Sequence, residues 1–277
     1  MNGVLYIDGK DAFVKYGITI LEGSYSQLVE YPALKEVKYN NWHEEDGIEA
    51  DLTSPVLGGR TLSLNFYSSS EAGRAALLAL LTQEVYHDFD FRELGRTYRL
   101  RMVSEGGLTV TQGMTLFSLY MADDFPLDGY SYLAPLSSIV PTQGYSLDNR
   151  DLSEYGAYVL KGTLPEILKA PTIKAGLALD IPSLSGVNYD GQDMVRYSSK
   201  EVSIYLLMRA GTLAELWRNY NALLYDLVRP GECELVVQST GKSYPCYYQS
   251  AAVSKFFPDG KIWLEFSIKL IFTNYRP

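Results

Sequence analysis

Only two cysteines, Cys233 and Cys246, and two histidines, His43 and His87, occur among the 277 residues. So few thiols exclude a disulfide-built scaffold and leave reduced cysteines as the expectation, although a hairpin turning around Ser239 to Lys242 would set the two side by side. A serine or cysteine triad would have to recruit one of the two histidines, and neither stands beside a nucleophile motif. No apolar run approaches the roughly 18 residues of a spanning helix. Met1-Asn2-Gly3 leads into a strand pattern instead of a basic and apolar leader, so neither membrane nor export is expected. Basic charge is short too: 24 Lys and Arg against 33 Asp and Glu give a net charge of −9. That balance argues against a tight grip on phosphate backbones, which needs clustered cations. It reads first as charge that keeps the chain soluble, and it also suits a surface that DNA passes without sticking, because like charge repels over a Debye length of about 8–10 Å. The glycine pairs Gly58-Gly59 and Gly106-Gly107 do not close on the Lys-Ser or Lys-Thr of a phosphate cradle and read as turns, so no cofactor is expected.

What is present is a repeat. The segment Ile7-Asp8-Gly9-Lys10-Asp11 leading to Tyr16-Gly17 returns as Leu147-Asp148-Asn149-Arg150-Asp151 leading to Tyr155-Gly156. Gly23 and Gly162, Pro32 and Pro171, and Lys35 and Lys174 each stand 139 positions apart. Further on, Gly95-Arg96-Thr97-Tyr98 is answered by Gly241-Lys242-Ser243-Tyr244, and Phe125 is matched to Phe272 through small insertions that belong in loops. The chain therefore divides into a first copy, 1–125, a connector, 126–144, rich in Pro, Gly, Ser and Thr, and a second copy, 145–277. At 47% hydrophobic and 21% charged residues, each copy is able to bury a core of its own.

Alternation of period two marks strands in the first copy at 4–7, 17–21, 34–39, 61–67, 97–103 and 114–120. One helix interrupts them, Glu71 to Tyr86 after Ser68-Ser69-Ser70. The second copy repeats the order with strands near 157–160, 173–179, 201–208, 233–238, 243–249 and 261–272. Its helix starts at a capping box, Thr212 with Glu215, and carries Leu213, Leu216, Trp217, Tyr220, Leu223, Leu224 and Leu227 on one face. Asp259-Gly260 reads as a hairpin turn, and Gly113 takes the matching place in the first copy. The expected fold is mainly β, of α+β type: two tandem, similar β-sandwich or split-barrel domains, each with one flanking helix and a long β-arm. The arms are the excursions Asn40 to Arg60 and Asp180 to Lys200, whose tips hold His43-Glu44-Glu45-Asp46-Gly47 and Asn188-Tyr189-Asp190-Gly191.

The acidic cluster around Glu44, Glu45 and Asp46 has neither calcium-loop spacing nor a histidine pair, so it reads as a solvated tip and no metal is expected. Trp217 and Trp263 sit among apolar neighbours and read as core; Trp42, in a polar loop, reads as an interface anchor. His87 is expected at the end of the first helix, suited to its negative dipole end. The 23 tyrosines keep a second reading open, a tandem β-sandwich that binds carbohydrate through exposed rings.

The N-terminal strand with its Asp8-Gly9-Lys10-Asp11 turn, the β-rich copy with one flanking helix, the long arm and the repetition of the whole resemble the tail-tube-like proteins of long-tailed phages, especially distal tail and baseplate hub proteins. The resemblance implies a non-enzymatic structural protein of a phage or prophage tail, assembled in the bacterial host and carried in the virion. It implies self-association into a ring around a DNA channel, as a hexamer or as a trimer with pseudo-six-fold symmetry, beside other tail proteins. The arms, with Trp42, His43, Glu44, Glu45 and Asp46 on the first and Asn188, Tyr189 and Asp190 on the second, are then the assembly elements. Distal tail proteins often pair a tube domain with a different C-terminal domain, and two like halves point instead to a hub or tube initiator.

Overall fold

The computed structural model describes residues 2–21, 23–111, 114–139, 144–175, 178–189 and 195–275. In the first copy the strands are β1 (Leu5–Ile7), β2 (Lys10–Asp11), β3 (Ile18–Ile20), β4 (Tyr39–Asn40), β5 (Glu49–Ala50), β6 (Arg60–Ser68), β7 (His87–Phe91), β8 (Arg96–Thr111) and β9 (Met114–Asp123). The second copy contributes β10 (Tyr145–Leu147), β11 (Arg150–Asp151), β12 (Ala157–Val159), β13 (Ala178–Asp180), β14 (Val187–Tyr189), β15 (Lys200–Ala210), β16 (Cys233–Val237), β17 (Lys242–Phe257) and β18 (Ile262–Phe272). The helices are α1 (Ala12–Tyr16), α2 (Tyr25–Val29), α3 (Glu71–Leu81), α4 (Thr163–Leu168) and α5 (Leu213–Leu227). Two seven-stranded antiparallel sheets result, ordered β2-β1-β7-β8-β9-β6-β3 and β11-β10-β16-β17-β18-β15-β12. Each strand of the first order has its counterpart at the same place in the second.

Turn chemistry explains the shared start. Asp8 and Gly9 take positive φ, as Asp148 and Asn149 do, which is the twist a two-residue hairpin demands. The aspartate also ties the turn to the neighbouring strand, Asp8 Oδ1 accepting from Asp88 N and Asp148 Oδ1 from Glu234 N, at 2.9 and 2.7 Å. The ladders revise one pairing: Arg60↔Asp123 and Lys200↔Phe272 close corresponding strands, so the position that answers Phe272 is Asp123, not Phe125. Gly113, Asp190 and Gly191 lie outside the described residues.

Three expectations from the sequence are corrected. The first helix ends at Leu81 instead of Tyr86, because the chain must turn back by His87 to pair it with Leu100. His87 consequently sits in a strand, buried, with Nδ1 2.7 Å from Asp8 Oδ2, and serves no helix end. The apolar stretch 34–39 is no strand of the first sheet: Leu34 makes a single bridge to Leu57 and then gives its N–H to Gln249 O of the second copy. Tertiary partners override local pattern there. Cys233 and Cys246 do face each other across β16 and β17, as buried free thiols, and burial pushes the Cys233 thiol up to about 12.

The two sheets share one continuous core among the described residues. Its seam is aromatic: Tyr31 stacks on Tyr220 at 3.9 Å and donates to the Tyr220 carbonyl, and Tyr248 donates to Pro32 O at 2.8 Å. Trp217 Nε1 donates to Leu94 O at 2.6 Å, so α5 lies between the copies. That position explains why α5 buries residues around most of its circumference while α3 buries only Leu77 and Leu81. A hollow of roughly 350 Å³ opens along this seam. Of the cations that line it, Arg96 bridges the copies, reaching the Trp217 face and Asn221, while Arg60 pairs with Asp123 at 2.8 Å within the first copy.

Connector residues 132–138 lie against α5: Tyr132 reaches Asp226, Leu136 N donates to Asn219 Oδ1 and Ser138 N donates to Glu215 Oε1. Thr212 Oγ1 accepts from Glu215 N, and Glu215 returns its carboxylate to Gly211 N. Burial alone would raise the Glu215 pKa, but the donors from Ser138, Gly211 and Thr212 outweigh it and hold the group below its ordinary 4.5. A depressed carboxylate stabilises the fold fully above its unfolded value and loses that contribution as pH falls through the folded one. Urea unfolding of the wild type and Glu215→Gln is expected to show a stability gap at pH 6 that narrows on approach to pH 3. A gap independent of pH would refute the assignment.

Candidate assembly interface

The first arm is a short hairpin, β4 and β5, paired Tyr39↔Ala50 and Asn40↔Glu49. Its tip turns through a Glu45 N to Trp42 O bond and Gly47, whose φ of 73° an L side chain rarely adopts. The arm does not project freely. Gly47 N donates to Tyr197 O at 2.7 Å, Ile48 N to Thr273 O at 2.9 Å, and Tyr197 N to Asp46 Oδ1 at 2.8 Å, all across to the second copy. Lys174 Nζ donates to the carbonyls of Trp42 and Gly47, both at 2.7 Å, and so holds the tip by its backbone. Beneath, Leu52, Tyr247 and Ile271 form a separate apolar cluster with Ile48 packed against it. The approach is so close that a Cβ on Gly47 would stand 1.7 Å from Thr273 O.

The candidate residues of the first arm thus divide. Asp46 is half-buried in the contact, while His43, Glu44 and Glu45 are exposed beside it. Trp42 is 52% exposed, its Nε1 3.5 Å from Glu49, and contributes to the contact through its carbonyl. On the second arm, Asn188 and Tyr189 are not at the expected tip: they lie in β14, which pairs with β13, and the turn falls earlier, closed by Leu184 N to Ile181 O; Asp190 is outside the described residues. Side-chain type did not reveal the receiving residues Lys174, Tyr197 and Thr273. Lys174 was visible only as half of a pair in step with Lys35.

Many of the tyrosines are spent on the interior: Tyr155, Tyr220 and Tyr248 are among the largest fully buried side chains. Among the described residues, no three His, Cys, Asp or Glu side chains gather as metal ligands would, and no helix is long and apolar enough to cross a membrane.

No family model and no curated protein matches the chain. A solved structure to which it is similar is the Dit protein of phage SPP1, described as a paradigm of the hub adsorption apparatus of phages that infect Gram-positive bacteria. The match covers 99% of each chain at 11% identity with a TM-score of 0.34, too distant a likeness to carry an argument about this chain.

Proposed function

We propose that this chain is a non-enzymatic structural component of a phage or prophage tail, forming a ring at the end of the tail tube. The observation that carries the reading is the arm of the first copy laid across the second, because it puts repeat-against-repeat packing inside every chain. A surface that packs on its own likeness head to tail closes into a ring when the rotation allows. The acid surplus of the chain fits a channel that DNA traverses without adhering. Distal tail, hub or tube-initiator roles, trimer or hexamer, and neighbours among other tail proteins belong to the same reading.

Gold-labelled antibody on virions, with light scattering and negative-stain microscopy of the purified chain mixed with neighbouring tail proteins, tests it. Label at one tip of the tail and annular particles are expected. Tails that carry no label, together with a chain that stays monomeric in the mixture, would overturn it.

A further inference from the structure

The second arm repeats the first residue by residue. Ala178↔Tyr189 and Leu179↔Asn188 stand 139 positions after Tyr39↔Ala50 and Asn40↔Glu49. The tip bond Leu184 N to Ile181 O stands 139 after Glu45 N to Trp42 O, and Gly186, with φ 89°, 139 after Gly47. Yet among the described residues this arm makes no hydrogen bond to the rest of the chain like those of the first. A Cβ on Gly186 would meet no atom within 4 Å, and Ile181, Leu184 and Val187 are exposed. Three apolar side chains held out on a two-stranded hairpin are an unfinished contact.

The landing site is repeated as well. The bridge Ile173↔Tyr197, flanked by Lys174 N to Arg196 O and Ser198 N to Thr172 O, has its counterpart in Leu34↔Leu57, flanked by Lys35 N to Val56 O and Gly58 N to Ala33 O. Leu57 therefore answers Tyr197, Lys35 answers Lys174, and the end of the β6–β9 ladder sets Asp124 where Thr273 stands. On the second copy all three positions are engaged by the first arm. On the first copy Leu57 turns its N–H and C=O away from the bridge, and among the described residues neither forms a hydrogen bond. Lys35 is exposed, and its ammonium forms no ion pair there. Lys35, Leu57 and Asp124 line one open hollow.

A second element agrees in direction. At the seam within the chain, Trp217 and Asn221 of α5 meet Leu94 and Arg96 at the β7–β8 turn. Aligned on their caps, Ser70 and Thr212, the corresponding positions on α3 are Ala75 and Ala79, both exposed, and the turn's counterpart is Thr240 to Lys242.

We infer that the second arm of one chain docks on the first copy of another molecule of the same chain, Gly186 against Leu57 and Val187 against Asp124, with Lys35 gripping the carbonyls of Ile181 and Gly186. The intramolecular arm contact is the template for the intermolecular one. Each chain then offers one arm and one landing site, so contacts propagate head to tail, and α3 of the receiving chain meets the Thr240 to Lys242 turn of the donor. The inference stands on the repeat and goes beyond the tail reading, since it names the surfaces and the partner.

Disulfide trapping tests it, with the native Cys233 and Cys246 buried and out of reach. One preparation carries Leu57→Cys and another Ser185→Cys; a third, Asp46→Cys with Tyr197→Cys, is the intramolecular control built on the corresponding contact. Under mild oxidation the mixture of the first two is expected to give a linked species of twice the chain mass, and the double variant Leu57→Cys with Ser185→Cys a ladder of higher species. Adding Lys35→Glu, which removes the donor to the tip carbonyls, cuts the linked yield roughly tenfold while leaving the melting temperature unchanged. A mixture that stays monomeric while the control closes would overturn the inference. Labelled tail tips without this cross-link would sink arm exchange alone; cross-linked chains that never enter a tail would sink the tail reading alone.

Discussion

Alanine in place of Trp217 is expected to cost the fold about 3–5 kcal/mol, the range for emptying a buried tryptophan site, and to lower the melting temperature by roughly 10 °C. The ring is buried at the seam between the copies, 5.7 Å from Phe256 and 6.2 Å from Tyr220, with the Arg96 guanidinium 4.6 Å over its face. Its Nε1 satisfies Leu94 O, a backbone acceptor that alanine would leave without that donor. Trp217→Phe separates the two effects: it keeps most of the packing, loses the donor, and is expected to cost about 1–3 kcal/mol. Trp42→Ala, at an exposed ring, should stay within about 0.5 kcal/mol. Because the core is continuous, the wild type is expected to melt in one transition, and Trp217→Ala to spread it toward two as the sheets uncouple. Calorimetry and urea titration measure both. A loss below about 1 kcal/mol would mean that the seam contributes little and that the copies are stable separately.

The repeat was legible because its signals are local. Asp8-Gly9 and Asp148-Asn149 need positive φ for a tight hairpin, Gly17 and Gly156 need it to end a helical turn, and all six positions announce themselves by residue type. The long helix was legible from Thr212, Glu215 and its apolar spacing. What joins the copies was not. Trp217 meets Leu94 across 123 positions and Lys174 meets Trp42 across 132, and contacts at that separation leave no periodicity to read. Side-chain type misled at the arm for a further reason. Trp42 stood out by its ring and His43 to Asp46 by their charge, whereas much of the contact runs through backbone, the carbonyls of Trp42 and Gly47 and the amides of Gly47 and Ile48. The sequence does carry a signal there, Gly47 with Gly186 in the same step as Lys35 with Lys174, which the expected second tip at 188–191 passed over. His87 was misplaced because the apolar helix pattern runs on past Leu81, although the pairing of β7 with β8 requires a strand by residue 87.

Duplication gives an unusually clean comparison, because the same contact is present once as docked and once as open. Gly47→Ala is expected to cost about 3–4 kcal/mol: about 1–2 for a left-handed backbone at φ 73°, and the rest for losing the amide bonds of Gly47 and Ile48 at about 1 kcal/mol each. No side-chain adjustment relieves it, since the atom in the way is Thr273 O, part of the backbone. Gly186→Ala meets the same backbone constraint at φ 89° but no neighbouring atom, so in the isolated chain it should cost only about 1–2 kcal/mol. Thermal melts give the two losses. Hydrogen exchange at the Ile48 amide should quicken in Gly47→Ala alone, and limited proteolysis should then cut within 41–46. The order reverses for self-association: Gly186→Ala, whose Cβ would press on Asp124 of the receiving chain as Gly47's would on Thr273, should lose the disulfide-trapped species while Gly47→Ala retains part of it. Equal stability losses for the two variants, or equal trapping, would show that the arms are not two states of one contact.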